Sequence, residues 1–265
     1  MSTPQLPLGL RYAPDQRLHG YRNAPTGLLP LLQAIACGER HEALFLSGPV
    51  GAGKTHLLLG VCAEANAQPG ADSATHAELP QSGELPQPTP SPACRGGLGR
   101  GSDRGIAYLP LRIFGERSVD ALAGQAEVGL VCIDDVDAIA GMRDAEIALF
   151  DLHNRLRAAG AAIVYAAKAT PAQLALDLPD LRSRLAQCAQ FALEIPDEPS
   201  RRAILRQRAQ ARGLELDDAV LDWLFRRVDR DLGTLTALLD RLDRASLAAQ
   251  RRITVPFLRQ TLSIE

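Results

Sequence analysis

The sequence lacks any excess of charge: 29 Lys and Arg stand against 31 Asp and Glu, for a formal net charge of −2. No global field pulls such a chain toward nucleic acid, so any contact of that kind has to come from a local patch. It also lacks a C-x-x-C pair. The five cysteines, Cys37, Cys62, Cys94, Cys132 and Cys188, are odd in number and widely spaced. That spacing argues against a zinc or redox centre and reads as reduced thiols in the cytoplasm. The first residues offer no basic head with an unbroken apolar stretch, and no run of about 18 apolar residues occurs anywhere. Neither export nor membrane spanning is expected. The 265 residues, 46% of them apolar, suffice for one large α/β core and a smaller helical unit.

Residues 67–105 stand apart, crowded with Pro, Gly and Ser and almost bare of large apolar side chains. Such a stretch buries too little surface to offset its ordering entropy and reads as a disordered insertion within a domain. Around it, strands are expected at Ala43 to Ser47, Ile106 to Leu111, Leu130 to Ile133, Ala161 to Ala167 and Phe191 to Ile195. Helices are expected after the first strand through Asn66, around Val119 to Ala126, and from Asp144 to Ala158. Continuous apolar strands separated by helices imply a parallel sheet covered on both faces. Beyond Pro196 only helices are expected, at 198–212, 217–228, 231–250 and 256–263. Leu235, Leu238, Leu239 and Leu242 form an apolar stripe in the third. The organisation reads as an N-terminal tail (1–20), an α/β base (21–196) and a small all-helical lid (197–265).

Two motifs carry chemistry. Gly48-Pro49-Val50-Gly51-Ala52-Gly53-Lys54-Thr55 matches G-x-x-x-x-G-K-[ST] between a strand and a helix. There, Gly48, Gly51 and Gly53 let backbone N–H groups turn toward phosphate oxygens while the helix start adds positive partial charge. Lys54 would reach the β- and γ-phosphates, and the Thr55 hydroxyl would hold Mg2+. Leu130-Val131-Cys132-Ile133-Asp134-Asp135 is an apolar strand ending in two acids beside that loop. Asp134 is the expected Mg2+ partner. Asp135 stands where many such ATPases place a glutamate that polarises the attacking water, and its shorter side chain leaves intrinsic hydrolysis in doubt.

Together with Leu181-Arg182-Ser183-Arg184-Leu185 and Leu239-Asp240-Arg241-Leu242-Asp243-Arg244-Ala245-Ser246, these motifs resemble the DnaA branch of the AAA+ family of P-loop ATPases. Within it, the likeness is nearest to the Hda-like regulatory inactivators of DnaA, over nearly the whole chain outside 67–105. The resemblance implies an ATPase base and helical lid without a helix-turn-helix DNA-reading domain, since the sequence stops at Glu265 after the lid helices. It implies bound ADP or ATP with Mg2+, serving structure more than turnover. Arg184 matches the arginine-finger position, which completes a composite site on the ATP of DnaA. Gln5, Leu6, Leu8 and Leu10 resemble the short peptide that docks on the DNA polymerase III β sliding clamp, with Gly9 where a proline is usual. Lys168 and Gly233 stand where the family carries a polar sensor and a lid arginine. The implied protein is cytoplasmic, reaches the nucleoid through the clamp and reads no DNA sequence directly. Its homo-oligomeric state is left open.

Two other functions fit parts of the same pattern. A helicase loader or remodelling ATPase of the AAA+ family would hydrolyse ATP unaided and would not need residues 1–10. A direct DNA binder would use the arginine pairs Arg201 and Arg202, Arg226 and Arg227, and Arg251 and Arg252 on phosphates. On amphipathic helices such pairs are more often solvated faces.

Overall fold

The computed structural model describes residues 17–67, 105–124 and 128–227, together with 235, 238, 239, 241–245 and 253–262. Five strands form one parallel sheet: β1 (Ala43–Ser47), β2 (Gly105–Pro110), β3 (Val128–Asp134), β4 (Ala162–Ala167) and β5 (Ala189–Ala192), in the order β2-β3-β4-β1-β5. Period-two alternation sends neighbouring residues to opposite faces. Phe45, Val131, Ile133, Ile163 and Tyr165 pack on one side, against α5 (Arg143–Ala158) and α6 (Pro179–Ala186). Leu44, Leu46, Leu130, Cys132 and Val164 pack on the other, against α1 (Leu28–Ala36) and α2 (Lys54–Asn66). Both faces are therefore covered, which is why these strands read as unbroken apolar runs.

Between β2 and β3 lie α3 (Leu111–Phe114) and α4 (Ser118–Ala123). The expected helix around 119–126 is thus shorter, and residues 125–127 lie outside the described ones. The last strand runs from Ala189, earlier than the expected Phe191 to Ile195. Its partner β1 ends at Ser47 and turns away at Gly48, so pairing has nothing to continue against. Leu193 gives one more bond, its N–H donating to the Ser47 carbonyl at 2.7 Å, and Ile195 is half exposed.

After β5 come α7 (Glu198–Ala211), α8 (Asp218–Arg227) and α9 (Val255–Leu262). Asp197 caps α7, its carboxylate accepting from the Ser200 N–H at 3.0 Å. A third core unites these helices with Leu235, Leu238, Leu239 and Leu242, all buried. The leucine stripe does face the lid interior. The insertion at 67–105 falls outside the described residues except for its ends, Ala67 closing α2 and Gly105 opening β2.

One expectation needs correction. Cys62, Cys132 and Cys188 are free and buried, but Cys37 is disulfide-bonded. Spacing excludes short metal-type pairs and does not by itself report a disulfide.

Candidate functional site

The glycine loop leaves β1 at Gly48 and enters α2 at Lys54, at the carboxyl edge of the sheet. Two of its glycines are dictated by close approach. A Cβ on Gly48 would lie 2.4 Å from the Leu193 carbonyl oxygen, and one on Gly53, which has φ 86°, would lie 2.6 Å from the Tyr21 ring. The loop therefore keeps a bare backbone with its amides at the start of α2, the geometry that receives phosphate oxygens.

Lys54 is buried, and its ammonium donates to the carbonyls of Gly48 at 2.5 Å and Pro49 at 2.8 Å. Burial pushes its pKa down, while Asp134, Asp137 and Asp135 pull it back up. Thr55 donates its hydroxyl to Asp134 Oδ2 at 2.6 Å. The phenol of Tyr108 donates to the same oxygen at 3.1 Å, and the Asp135 N–H donates to Oδ1 at 2.9 Å. Burial pushes the Asp134 carboxyl up, and the Thr55 bond opposes that shift. Strand β4 separates the loop-bearing strand from the acid-bearing one, and α2 bridges the gap to bring Thr55 onto Asp134.

These residues fit a nucleotide with Mg2+. Gly48 and Gly53 leave no room for a Cβ, a cation stands in the loop, and one hydroxyl and one carboxylate meet where a hard cation needs oxygen donors. Among the described residues no group of three or more His, Cys, Asp or Glu could hold a metal. Mg2+ beside a nucleotide needs only one or two protein oxygens, the rest coming from phosphate and water.

Asp135 has left-handed backbone, φ 54° and ψ 47°, and Arg112 grips both its carboxylate oxygens, at 3.1 and 3.3 Å. Arg112 also reaches Asp137 at 3.1 Å, while Asp137 accepts from the Lys168 N–H at 3.1 Å and lies 3.4 Å from its ammonium. Lys168 is thus paired locally with Asp137. Hydrogen bonds to Asp135 hold the Arg112 pKa above its ordinary value. Gly233 lies outside the described residues, as do Gln5, Leu6, Leu8 and Leu10.

A second cleft is lined by Tyr21, Arg22, Gly53, His56, Ile204 and Arg208. It lies between base and lid. Tyr21 donates its hydroxyl to the Ala52 carbonyl at 2.7 Å, and burial pushes that phenol up to about 12. Base and lid meet through Arg22 and Gln207 at 3.3 Å, Asn23 and Ser200 at 3.1 Å, and His56 and Arg208 at 3.3 Å.

Arg184 is elsewhere. It stands exposed in the last turn of α6, on a cavity shared with Glu42 and Ala43 at the start of β1. Five strand residues span about 16 Å, so it cannot reach its own phosphate loop. Arg182, two residues before it, turns inward onto the Leu176 carbonyl. Glu146 accepts from the N–H groups of Gly141 at 2.8 Å, Asp177 at 3.1 Å and Leu178 at 2.7 Å, fixing the start of the same helix. Of the arginine pairs, Arg202 binds Glu198 at 3.1 Å and Asp222 at 2.5 Å, and Arg227 lies over the Trp223 ring. Arg251 and Arg252 lie outside the described residues.

The sequence singled out neither Tyr21, Tyr108, Arg112, Asp137, Glu146 nor Ile204. Asp137 had a visible signal, a third acid two residues after the pair. The others are joined to the site by chain folding alone.

Fold and site define a P-loop α/β base with a small helical lid. The family described as Hda, lid domain, matches residues 197–262. Domain III of the replication initiation protein DnaA from Thermotoga maritima superposes with a TM-score of 0.69 at 22% identity, covering 96% of this chain and 98% of that one. AMPPCP-bound DnaA from Aquifex aeolicus gives 0.60 at 19%, covering 91% of this chain and 70% of that one. A mutant RuvB of Thermotoga maritima gives 0.54 at 13%, covering 94% and 71%. The chain shares the fold of these proteins, and its residues 197–262 match the Hda lid domain. Among the described residues no helix is long and apolar enough to cross a membrane.

Proposed function

We propose that this chain inactivates the replication initiator DnaA by stimulating hydrolysis of the ATP that DnaA holds, acting together with the DNA-loaded sliding clamp. Its own phosphate loop holds ADP or ATP with Mg2+ on Gly48, Gly51, Gly53, Lys54, Thr55 and Asp134, and that nucleotide sets the relation of base to lid. Arg184 supplies the chemistry, its guanidinium neutralising charge that develops on the γ-phosphate of DnaA-bound ATP. Gln5, Leu6, Leu8 and Leu10 dock on the clamp.

The observation that carries this reading is the placement of Arg184: exposed, at the opposite edge of the sheet from its own phosphate loop, on a helix tied down by Glu146. So placed, Arg184 is out of reach of its own phosphate loop and open to a nucleotide brought by another molecule. The grip of Arg112 on Asp135 agrees with weak intrinsic turnover, since a carboxylate with both oxygens engaged is a poor base. Further support comes from the lid match, to a family described as Hda, and from the likeness to the DnaA domain.

The test is a mixture of the purified chain with clamp, DNA and DnaA·ATP. Faster conversion to DnaA·ADP is expected, with loss of the effect on deleting residues 1–10; an unchanged rate contradicts the reading.

A further inference from the structure

Away from the phosphate loop, a charge imbalance lies at the amino edge of the sheet. An open cavity of about 530 Å3 is lined there by Glu42, His153, Asn154, Arg157, Arg184 and Gln187, among others. Two guanidinium groups share it, Arg157 from the last turn of α5 and Arg184 from the last turn of α6. Glu42 is already paired with Arg40 at 2.7 Å, and neither Arg157 nor Arg184 has a carboxylate partner among the described residues. Helix carboxyl ends tolerate cations, which lets the fold keep two of them together with neither paired to a carboxylate.

The two arginines differ in freedom. Arg157 is anchored, donating to the His41 carbonyl at 2.6 Å. The Arg184 guanidinium has no protein partner among the described residues. Between them His153 is buried, its Nδ1 2.9 Å from the Tyr165 hydroxyl. Burial, followed by the two arginines, lowers its pKa to about 4, so the cavity floor is an uncharged imidazole at neutral pH. Two guanidinium forks in one cavity, whose one acid, Glu42, is paired with Arg40, match an anion rich in oxygens, such as a phosphate chain.

We propose that Arg157 is a second phosphate-facing cation, binding beside Arg184 the terminal phosphates of a nucleotide held by another protein. The inference rests on the reading of Arg184 given above. It divides the labour: the anchored Arg157 contributes binding that is equal before and during reaction, and the unpartnered Arg184 meets the charge that develops.

The experiment uses the full chain with clamp, DNA and DnaA·ATP, at varied concentrations of the chain. Arg157→Ala is expected to raise the half-saturating concentration about tenfold with a nearly unchanged maximal rate, because it removes uniform binding. Arg157→Lys should recover part of that loss, which a merely structural role would not predict. Arg157→Ala matching the unsubstituted chain in both parameters overturns the proposal. A second arm needs no partner: calorimetry of tripolyphosphate with the Lys54→Ala chain, whose own loop is weakened, and with Lys54→Ala combined with Arg157→Ala. Binding by the first and not by the second supports the site, and no binding by the first overturns it. If tripolyphosphate binds as expected but the unsubstituted chain leaves DnaA hydrolysis unchanged, the reading of function fails and the anion site stands.

Discussion

Single residues at the two ends of the sheet carry different chemistry. At the carboxyl end, Lys54 is held at the loop mouth by two carbonyls. Replacing it with alanine removes a charge-assisted contact worth about 2 to 3 kcal/mol, so nucleotide affinity should fall roughly thirty- to a hundredfold. Equilibrium titration with a fluorescent nucleotide measures this, and unchanged affinity would deny the loop its role. At the amino end, His153 makes a prediction about pH. Its folded pKa, about 4, lies below the ordinary value of 6.5, so the unfolded chain takes up the proton first as pH falls. The neutral imidazole therefore contributes stability fully above about pH 6.5 and progressively less down to about pH 4. Urea unfolding should show a midpoint that drops through this window, and the drop should be smaller in His153→Gln; equal slopes would mean that His153 is not the group responsible.

At the scale of elements, helix α6 is what aims Arg184, and Glu146 is what holds α6. Its buried carboxylate accepts three N–H groups, the last from Leu178 at the helix cap. Glu146→Ala should destabilise the chain by about 3 kcal/mol. Stimulation of DnaA hydrolysis should fall further than nucleotide binding, because the distortion lies at the Arg184 end. Thermal melting checks the first claim and paired binding and hydrolysis assays the second; equal losses in the two assays would show only general unfolding.

Elements also mark where sequence reading succeeded. Strands β1 and β4 are legible because both faces are buried, giving unbroken apolar runs, and the glycine loop is legible because its geometry forbids side chains. The last strand is displaced because its end is set by its neighbour β1, whose turn at Gly48 no local pattern reveals to Phe191. Arg112 meets Asp135, and Tyr108 meets Asp134, by register between β2 and β3. Such contacts depend on which strands are neighbours, and periodicity does not report that.

Over the whole molecule, three cores make two units: a sheet covered on both faces and a helical lid, with polar contacts around Tyr21 and α7 joining them among the described residues. The phosphate loop faces that junction, and Arg184 faces away from it.

The central claim is that the working arginine acts on a nucleotide bound elsewhere. It is tested most directly by single-turnover hydrolysis of γ-labelled ATP preloaded on DnaA, with clamp, DNA and either the unsubstituted chain or Arg184→Ala. The account predicts that Arg184→Ala binds its own nucleotide and the clamp normally while releasing labelled phosphate at least a hundredfold more slowly, the order expected for loss of such a cation. Release at the unsubstituted rate would contradict it.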